Sequence, residues 1–498
     1  MSKLIENWTT DLRYKKYNAW DSTYLSALTE KVNAAPWRLQ YHIQPTSGLL
    51  NDPNGFSYFN GKWHLFYQAY PFGPVHGLKS WAHMTSTDLV HWEYEGIPLV
   101  PSNAYDSHGV YSGSALPIED KLFLMYTGNV RDADWNRSAF QLGAWLDQEG
   151  QLTKMTKPLI ETDTTQYTHD FRDPQIFNYG NTYLAIIGAQ DTNKQGRVAV
   201  YQSENSHDWH YLGNLTYTDL PMGYMVECPN LVFIDEQPVL LFCPQGMDHS
   251  LLDYQTIYPN AYVLGSRFNK ETLTIENPTT LQNLDEGFDV YATQAFNAPD
   301  GRALSVSWIG LPEIEYPTFS DGWAHCLSLV KELSIKDGHL YQFPVVETQT
   351  LRQDELSFEG QLLPSGQQLL ENTSFSYELE LTLPKDERGE LKLFADEDAA
   401  RYLSLSFDTI SGKLTVDRTQ AGVPFAEEFG NTRSITIPRH EALKLSIFVD
   451  HSVCEIFINN GLKVITLRLF PAANQTQLWL SGSGKGSYQG KFWELLSQ

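Results

Sequence analysis

The chain has 498 residues, 42% of them hydrophobic and 13% aromatic, and 35 Lys and Arg against 60 Asp and Glu give a net charge of −25. That length and apolar content exclude a disordered chain and leave room for two or three folded domains. The acidic excess, with no basic run to offset it, excludes nucleic acid and anionic membranes as partners.

The start, Met1-Ser2-Lys3-Leu4-Ile5-Glu6-Asn7, carries no apolar targeting segment. No stretch approaches the ~20 apolar residues of a membrane span. The four cysteines, Cys228, Cys243, Cys326 and Cys454, are scattered and form no C-x-x-C pair. Neither a disulfide framework nor a zinc site fits that pattern. The expectation is a cytoplasmic, soluble protein with no metal and no cofactor, its oligomeric state left open.

Residues 1–36 read as a partly helical strap. Asp21 or Ser22 supplies an N-cap, Tyr24, Leu25, Leu28 and Val32 share one face, and Pro36 ends the run.

Residues 37–345 read as strand and turn with a coarse repeat. The first unit opens on Asn51-Asp52-Pro53-Asn54-Gly55, a run of turn formers read as a turn handing over to a strand. The next open at Ser112, at Asp173 (Arg172-Asp173-Pro174), at Glu227 (Glu227-Cys228-Pro229) and near Asp289. Each opening is followed by two apolar strand runs, as in Val239-Leu240-Leu241-Phe242. Five near-equal units, each of about sixty residues, predict a five-bladed β-propeller. Closure brings equivalent positions around one axis, so Asp52, Asp173 and Glu227 are expected to converge at one mouth of the channel.

Residues 346–372 read as a polar, Gln-rich linker. Residues 373–498 then show clean alternation: Phe375, Tyr377, Leu379, Leu381 and Leu383 face one way, and Ser376, Glu378, Glu380 and Thr382 the other. The fold class expected is therefore all-β, a propeller followed by a C-terminal β-sandwich. The sandwich carries no evident chemical constellation.

Converging carboxylates raise one another's pKa, which leaves an ionised group beside a protonated one. Glycoside hydrolysis needs that pair. The motifs carrying these acids make the chain similar to glycoside hydrolase family 32, the invertases and fructanases. The matching stretches are His42, Asn51-Asp52-Pro53-Asn54-Gly55, Phe66-Tyr67-Gln68, Trp81-Ala82-His83, Asp88-Leu89-Val90-His91-Trp92, Tyr111-Ser112-Gly113-Ser114, Phe171-Arg172-Asp173-Pro174, Glu227-Cys228-Pro229 and Gln342-Phe343-Pro344. Leu50 and Ala69-Tyr70-Pro71 depart from the common pattern, at the rim. Within the family the chain resembles cytoplasmic bacterial enzymes that act on phosphorylated sucrose.

The resemblance implies that Asp52 is the nucleophile, Glu227 the acid/base and Asp173 the holder of fructose hydroxyls, with Arg172 keeping Asp173 ionised. It places Asn51, Gln68, Trp81, Tyr111, Ser112 and Trp308 around the sugar. It also implies retention of configuration, with two carboxyls ~5–5.5 Å apart. A substrate phosphate wants cations, and His76, Lys79, Arg131 and Arg197 are the candidates. The partner expected is a small sugar: sucrose, sucrose 6-phosphate or a short fructan. The rival readings are fructosyl transfer, a silent sugar-binding propeller and an inverting glycosidase.

Overall fold

The structure, a computed structural model, describes residues 4–496. A single helical turn at Thr10–Arg13 is followed by helix α1, Ser22–Asn33. Asp21 caps α1, its Oδ1 accepting the Thr23 N–H at 2.9 Å. Tyr24, Leu28 and Val32 are buried against Leu49, Phe72 and Trp323, while Leu25 stays half-exposed. None of the described helices is long and apolar enough to cross a membrane.

Five sheets of four or five strands follow, each led by one innermost strand: β1 (Gly48–Phe59), β2 (Val110–Ile118), β3 (Tyr167–Tyr179), β4 (Met225–Ile234) and β5 (Val290–Asn297). These five touch one another in order, and β5 returns to β1, which closes the ring. Trp323–Ala324 then pairs in parallel with the start of β1.

A polar side chain on each inner strand bonds to the backbone of the next. Asn54 accepts the Gly113 N–H and Ser114 accepts the Ile176 N–H, each at 2.9 Å; Gln175 accepts the Leu231 N–H at 2.8 Å. Asn230 accepts the Ala295 N–H at 3.2 Å, and Gln294 accepts the Phe56 N–H at 2.8 Å. Buried polar groups need such partners, and here they fix the blades' relative height.

The Asn51–Gly55 run departs from the expected turn. It lies inside β1, where register shifts interrupt the ladder between Leu50 and Pro53 and between Asn54 and Ser57. The other inner strands bulge between Val110 and Gly113, Arg172 and Gln175, Glu227 and Asn230, and Tyr291 and Gln294. A bulge leaves one residue unpaired and re-aims its neighbours, which is why proline is tolerated mid-strand. Asp173, Cys228 and Ala292 take the positive φ that three of these bulges require: 66°, 47° and 50°.

The second body is two six-stranded sheets packed face to face. Two stretches of the expected linker belong to it as edge strands. Leu356–Gln361 pairs with Ser487–Phe492, and Gln367–Leu370 with Leu478–Leu480. Edge strands tolerate the polar composition that suggested a connector. Glu378 departs from the outward face predicted for it. It is buried, and Arg352 clamps it with two bonds of 2.7 Å while stacking 3.9 Å above Trp493.

The fifth opening acid is not at the channel mouth. Asp289 is fully buried and faces the sandwich, accepting the Tyr316 hydroxyl (2.8 Å), the Arg468 N–H (2.7 Å) and Arg418 Nη1 (3.0 Å). His42, from the motif set, also lies here: Nδ1 is 2.9 Å from Asp450 and Nε2 3.0 Å from Glu455.

Candidate active site

Counting back from the polar residue that crosses to the next blade places the site. Two residues earlier stand Asp52, Ser112, Asp173, Cys228 and Ala292; three earlier stand Asn51, Tyr111, Arg172, Glu227 and Tyr291. The bulges lie across these positions. Asp52 and Asp173 are therefore equivalent, whereas Glu227 sits one residue earlier. Its longer side chain still reaches the common axis.

The carboxylates are linked through their neighbours. Ser112 Oγ donates to Asp52 Oδ2 at 2.5 Å, and Asn51 Nδ2 donates to Asp52 Oδ1 at 3.0 Å. Gln68 donates to Ser112 and accepts from Asn51. Cys228 Sγ lies 3.7 Å from Asp52 and 3.5 Å from Asp173, and its backbone N–H donates to Asp173 at 3.0 Å. Tyr291 donates to Glu227 Oε2 at 2.5 Å.

Arg172 was expected to serve Asp173. Its fork instead engages Glu227 Oε1 through Nε (2.9 Å) and Nη2 (2.7 Å), and Nη1 reaches Asp170 at 2.8 Å. One bulge step separates Arg172 from Asp173 on the same strand, so the long side chain extends to the neighbouring blade. Burial and the Glu227 charge push Asp173 up to about 7, with Arg172 only partly opposing them. Burial raises Asp52 too, and Glu227 adds to it, while Ser112, Asn51 and Lys79 pull it back. Burial works against the Arg172 charge, yet Glu227, Asp173 and Asp170 outweigh it and push its pKa well up.

Asp52, Asp173 and Cys228 bring metal-ligand-type atoms within 4.8 Å of one another, a proximity that chain spacing did not reveal. Burial, then the charges of Asp173 and Asp52, push the thiol well above its usual range. It therefore acts as a protonated donor rather than a thiolate. Beneath the acids lies a cavity of about 10 Å³, lined by Asn54, Ser112, Asp173, Cys228 and Thr293 among others.

Of the pocket residues expected, Asn51, Ser112 and Arg172 bond the acids directly, and Gln68 reaches them through Asn51 and Ser112. Tyr111 is half-exposed beside them. Trp81 departs from expectation: it is fully buried between Phe66 and Tyr126, with its N–H given to the Tyr111 carbonyl at 3.0 Å. It holds Tyr111 from behind. Trp308 is 2% exposed, 6.1 Å from the Tyr291 ring and 6.2 Å from His76.

The phosphate candidates separate. Lys79 is buried and donates to Asn51 Oδ1, next to Asp52; burial lowers it to about 7 although Asp52 opposes that. Arg197 is spent on Asp191 at 2.9 Å. His76 is exposed near Trp308, and Arg131 is half-buried in the second sheet's hairpin. Cys228 and Tyr291 were missed, although both occupy repeat positions of the known acids and Cys228-Pro229 echoes Asp52-Pro53 and Asp173-Pro174.

Comparison with known proteins identifies the family. Residues 42–344 match the glycosyl hydrolases family 32 N-terminal domain, and residues 347–494 the family 32 C-terminal domain. A sucrose-6-phosphate hydrolase of Pediococcus pentosaceus is 49% identical over 98% of this chain and 96% of its own. The solved sucrose-6-phosphate hydrolase of Lactobacillus gasseri superposes with a TM-score of 0.94 at 45% identity, over 99% of this chain and 100% of that one. A Bombyx mori GH32 beta-fructofuranosidase superposes at 0.82 with 29% identity, over 96% and 99%. With both domain models matched in order across nearly its whole length, the chain belongs to glycoside hydrolase family 32.

Proposed function

We propose that this glycosidase cleaves the terminal β-D-fructofuranoside of sucrose, sucrose 6-phosphate or short fructo-oligosaccharides with retention of configuration. One observation carries the reading: Asp52, Asp173 and Glu227 come from three blades into one cluster, joined by Cys228 and Arg172. The names of the relatives favour hydrolysis over transfer.

In this reading an Asp52 oxygen attacks the anomeric carbon of the fructosyl ring as its bond to the leaving oxygen breaks, and Glu227 gives that oxygen its proton. Ser112 and Asn51 hold the attacking carboxylate in place. Water then attacks the fructosyl ester, Glu227 takes the water's proton, and Asp52 is released. Arg172 and Tyr291 occupy both Glu227 oxygens from the side and fix its rotamer. Asp173, raised by burial and by the Glu227 charge, is placed to hydrogen-bond ring hydroxyls. Asp52, Glu227 and Asp173 thus have the catalytic roles, with Asn51, Gln68, Tyr111, Ser112, Arg172 and Trp308 around the sugar and Trp81 behind it. A cytoplasmic setting belongs to the same reading, and the four free, buried cysteines suit a reducing compartment.

The test is cleavage of sucrose and sucrose 6-phosphate by Asp52→Ala and Glu227→Gln. Each should lose about 10²–10⁴-fold or more in kcat, the scale of a lost proton-transfer or attacking group. Activity above roughly a tenth of wild type, with the fold intact, contradicts the assignment.

A further inference from the structure

The geometry points to a phosphate-binding subsite for the leaving sugar, built from Arg13, Arg131 and Arg137 on the rim where the N-terminal strap meets the second blade. This rests on the fructosidase reading above and adds what the rim recognises.

In a chain of net charge −25, three arginines share one patch. Arg13 is half-buried in the strap, and Arg131 and Arg137 are the two ends of a hairpin. Tyr14 lies among them and feels all three charges together with Tyr111. The Nε atoms of Arg13, Arg131 and Arg137 are all buried without a hydrogen-bond partner among the described residues. Neither Arg13 nor Arg131 has an ion pair among the described residues, and Arg131 Nη1 reaches only the Trp135 carbonyl at 3.0 Å. Asp132, the carboxylate nearest in sequence, is turned into its own hairpin, accepting the Asp134 and Asn136 N–H groups and the Asn136 side chain. Arg13 and Arg131, each without a carboxylate partner among the described residues, are poised for an external oxyanion, and their planar forks suit a phosphate.

Two features join the patch to the chemistry. Arg137 donates to Asp170 at 2.7 Å, Asp170 also holds Arg172, and Arg172 holds Glu227. Arg137 also lies 5.9 Å from the Tyr111 ring, next in sequence to Ser112. The patch therefore begins on the Glu227 side, where the leaving oxygen receives its proton. Trp135, 42% exposed, stands edge-on 5.0 Å from Tyr14 and offers aromatic surface for a sugar ring. A glucosyl ring leaving from Glu227 across Tyr111 would carry its 6-phosphate to these arginines. The ligand class is a phosphomonoester of the leaving hexose.

The experiment measures kcat/KM for sucrose and sucrose 6-phosphate with wild type, Arg131→Met, Arg13→Met/Arg131→Met and, as control, Arg197→Met. The wild type should prefer sucrose 6-phosphate, and the double variant should lose about tenfold or more of that preference, the effect of charge-assisted contacts. The control should keep the wild-type ratio. A ratio unchanged in the double variant, or a wild type that cleaves both sugars equally well, overturns the subsite. A wild type that cleaves neither overturns the fructosidase reading instead. Independently of any variant, glucose 6-phosphate should inhibit wild-type sucrose cleavage at lower concentration than glucose. Equal inhibition by the two, or equal inhibition by inorganic phosphate alone, contradicts a site for the phosphorylated leaving sugar.

Discussion

Two groups of buried carboxylates, one against the sandwich and one among the inner strands, behave in opposite ways. At the interface with the sandwich, Asp450 accepts the N–H groups of Gln40, Tyr41 and His42 and the His42 ring, and Glu455 accepts the Leu329 N–H and the other His42 nitrogen. Burial works against both charges, but the His42 hydrogen bonds outweigh it and hold both acids below their usual range. Among the inner strands, Asp173 has burial and a neighbouring acid against it and rises to about 7. Equal burial thus gives opposite results according to whether partners outnumber rivals. The interface charges hold the domains together. The site acids are hydrogen-bonded as well, by Ser112 and Asn51, by the Cys228 N–H, and by Arg172 and Tyr291, but they crowd one another with like charge.

The largest effect should come from removing the interface cation. His42→Ala removes the imidazole that bridges two buried carboxylates and should cost about 3–5 kcal/mol in urea unfolding, the scale for breaking a buried pair. Less than about 1 kcal/mol would show that His451, Lys331 and the backbone N–H groups carry these acids without it. His42 is raised to about 9 against burial by its bonds to Asp450 and Glu455. Its contribution is therefore complete below the unfolded value near 6.5 and fades as pH rises through about 9.

Asp173→Asn tests the other side. A raised acid destabilises the fold, with the penalty absent at low pH, growing from about pH 4 and complete above about 7. The variant keeps an acceptor for the Cys228 N–H, so its melting temperature at pH 8 should rise by about 2 °C or more while activity falls. That gain should vanish toward pH 4. A lower melting temperature at pH 8 would mean that the hydrogen bonds to Asp173 outweigh its crowding by Glu227.

The smallest effect should come from Lys79→Met. Lys79 helps hold Asp52 down, so its loss should move the acid limb of the kcat/KM profile to higher pH. An unmoved limb would confine Lys79 to positioning Asn51.

The inner strands were legible because each carries a long apolar run beside polar residues at a fixed offset. Asp52 and Asp173 each precede a proline, and that marked the axis. The bulges were not legible, since proline and asparagine mid-strand read as a turn when no partner strand is visible. Without them the one-residue offset of Glu227, and the places of Cys228 and Tyr291, could not be read. The pairing of His42 with Asp450 and Glu455 spans about four hundred residues, and no periodic pattern reports so distant a contact.

The central claim is that Asp52 attacks and is later displaced on the same face of the sugar. Cleavage of sucrose with methanol as competing acceptor tests it most directly, by NMR of the methyl fructofuranoside formed. The account predicts the β-anomer, from two successive displacements. The α-anomer as first product would mean a single displacement by the acceptor and would contradict it.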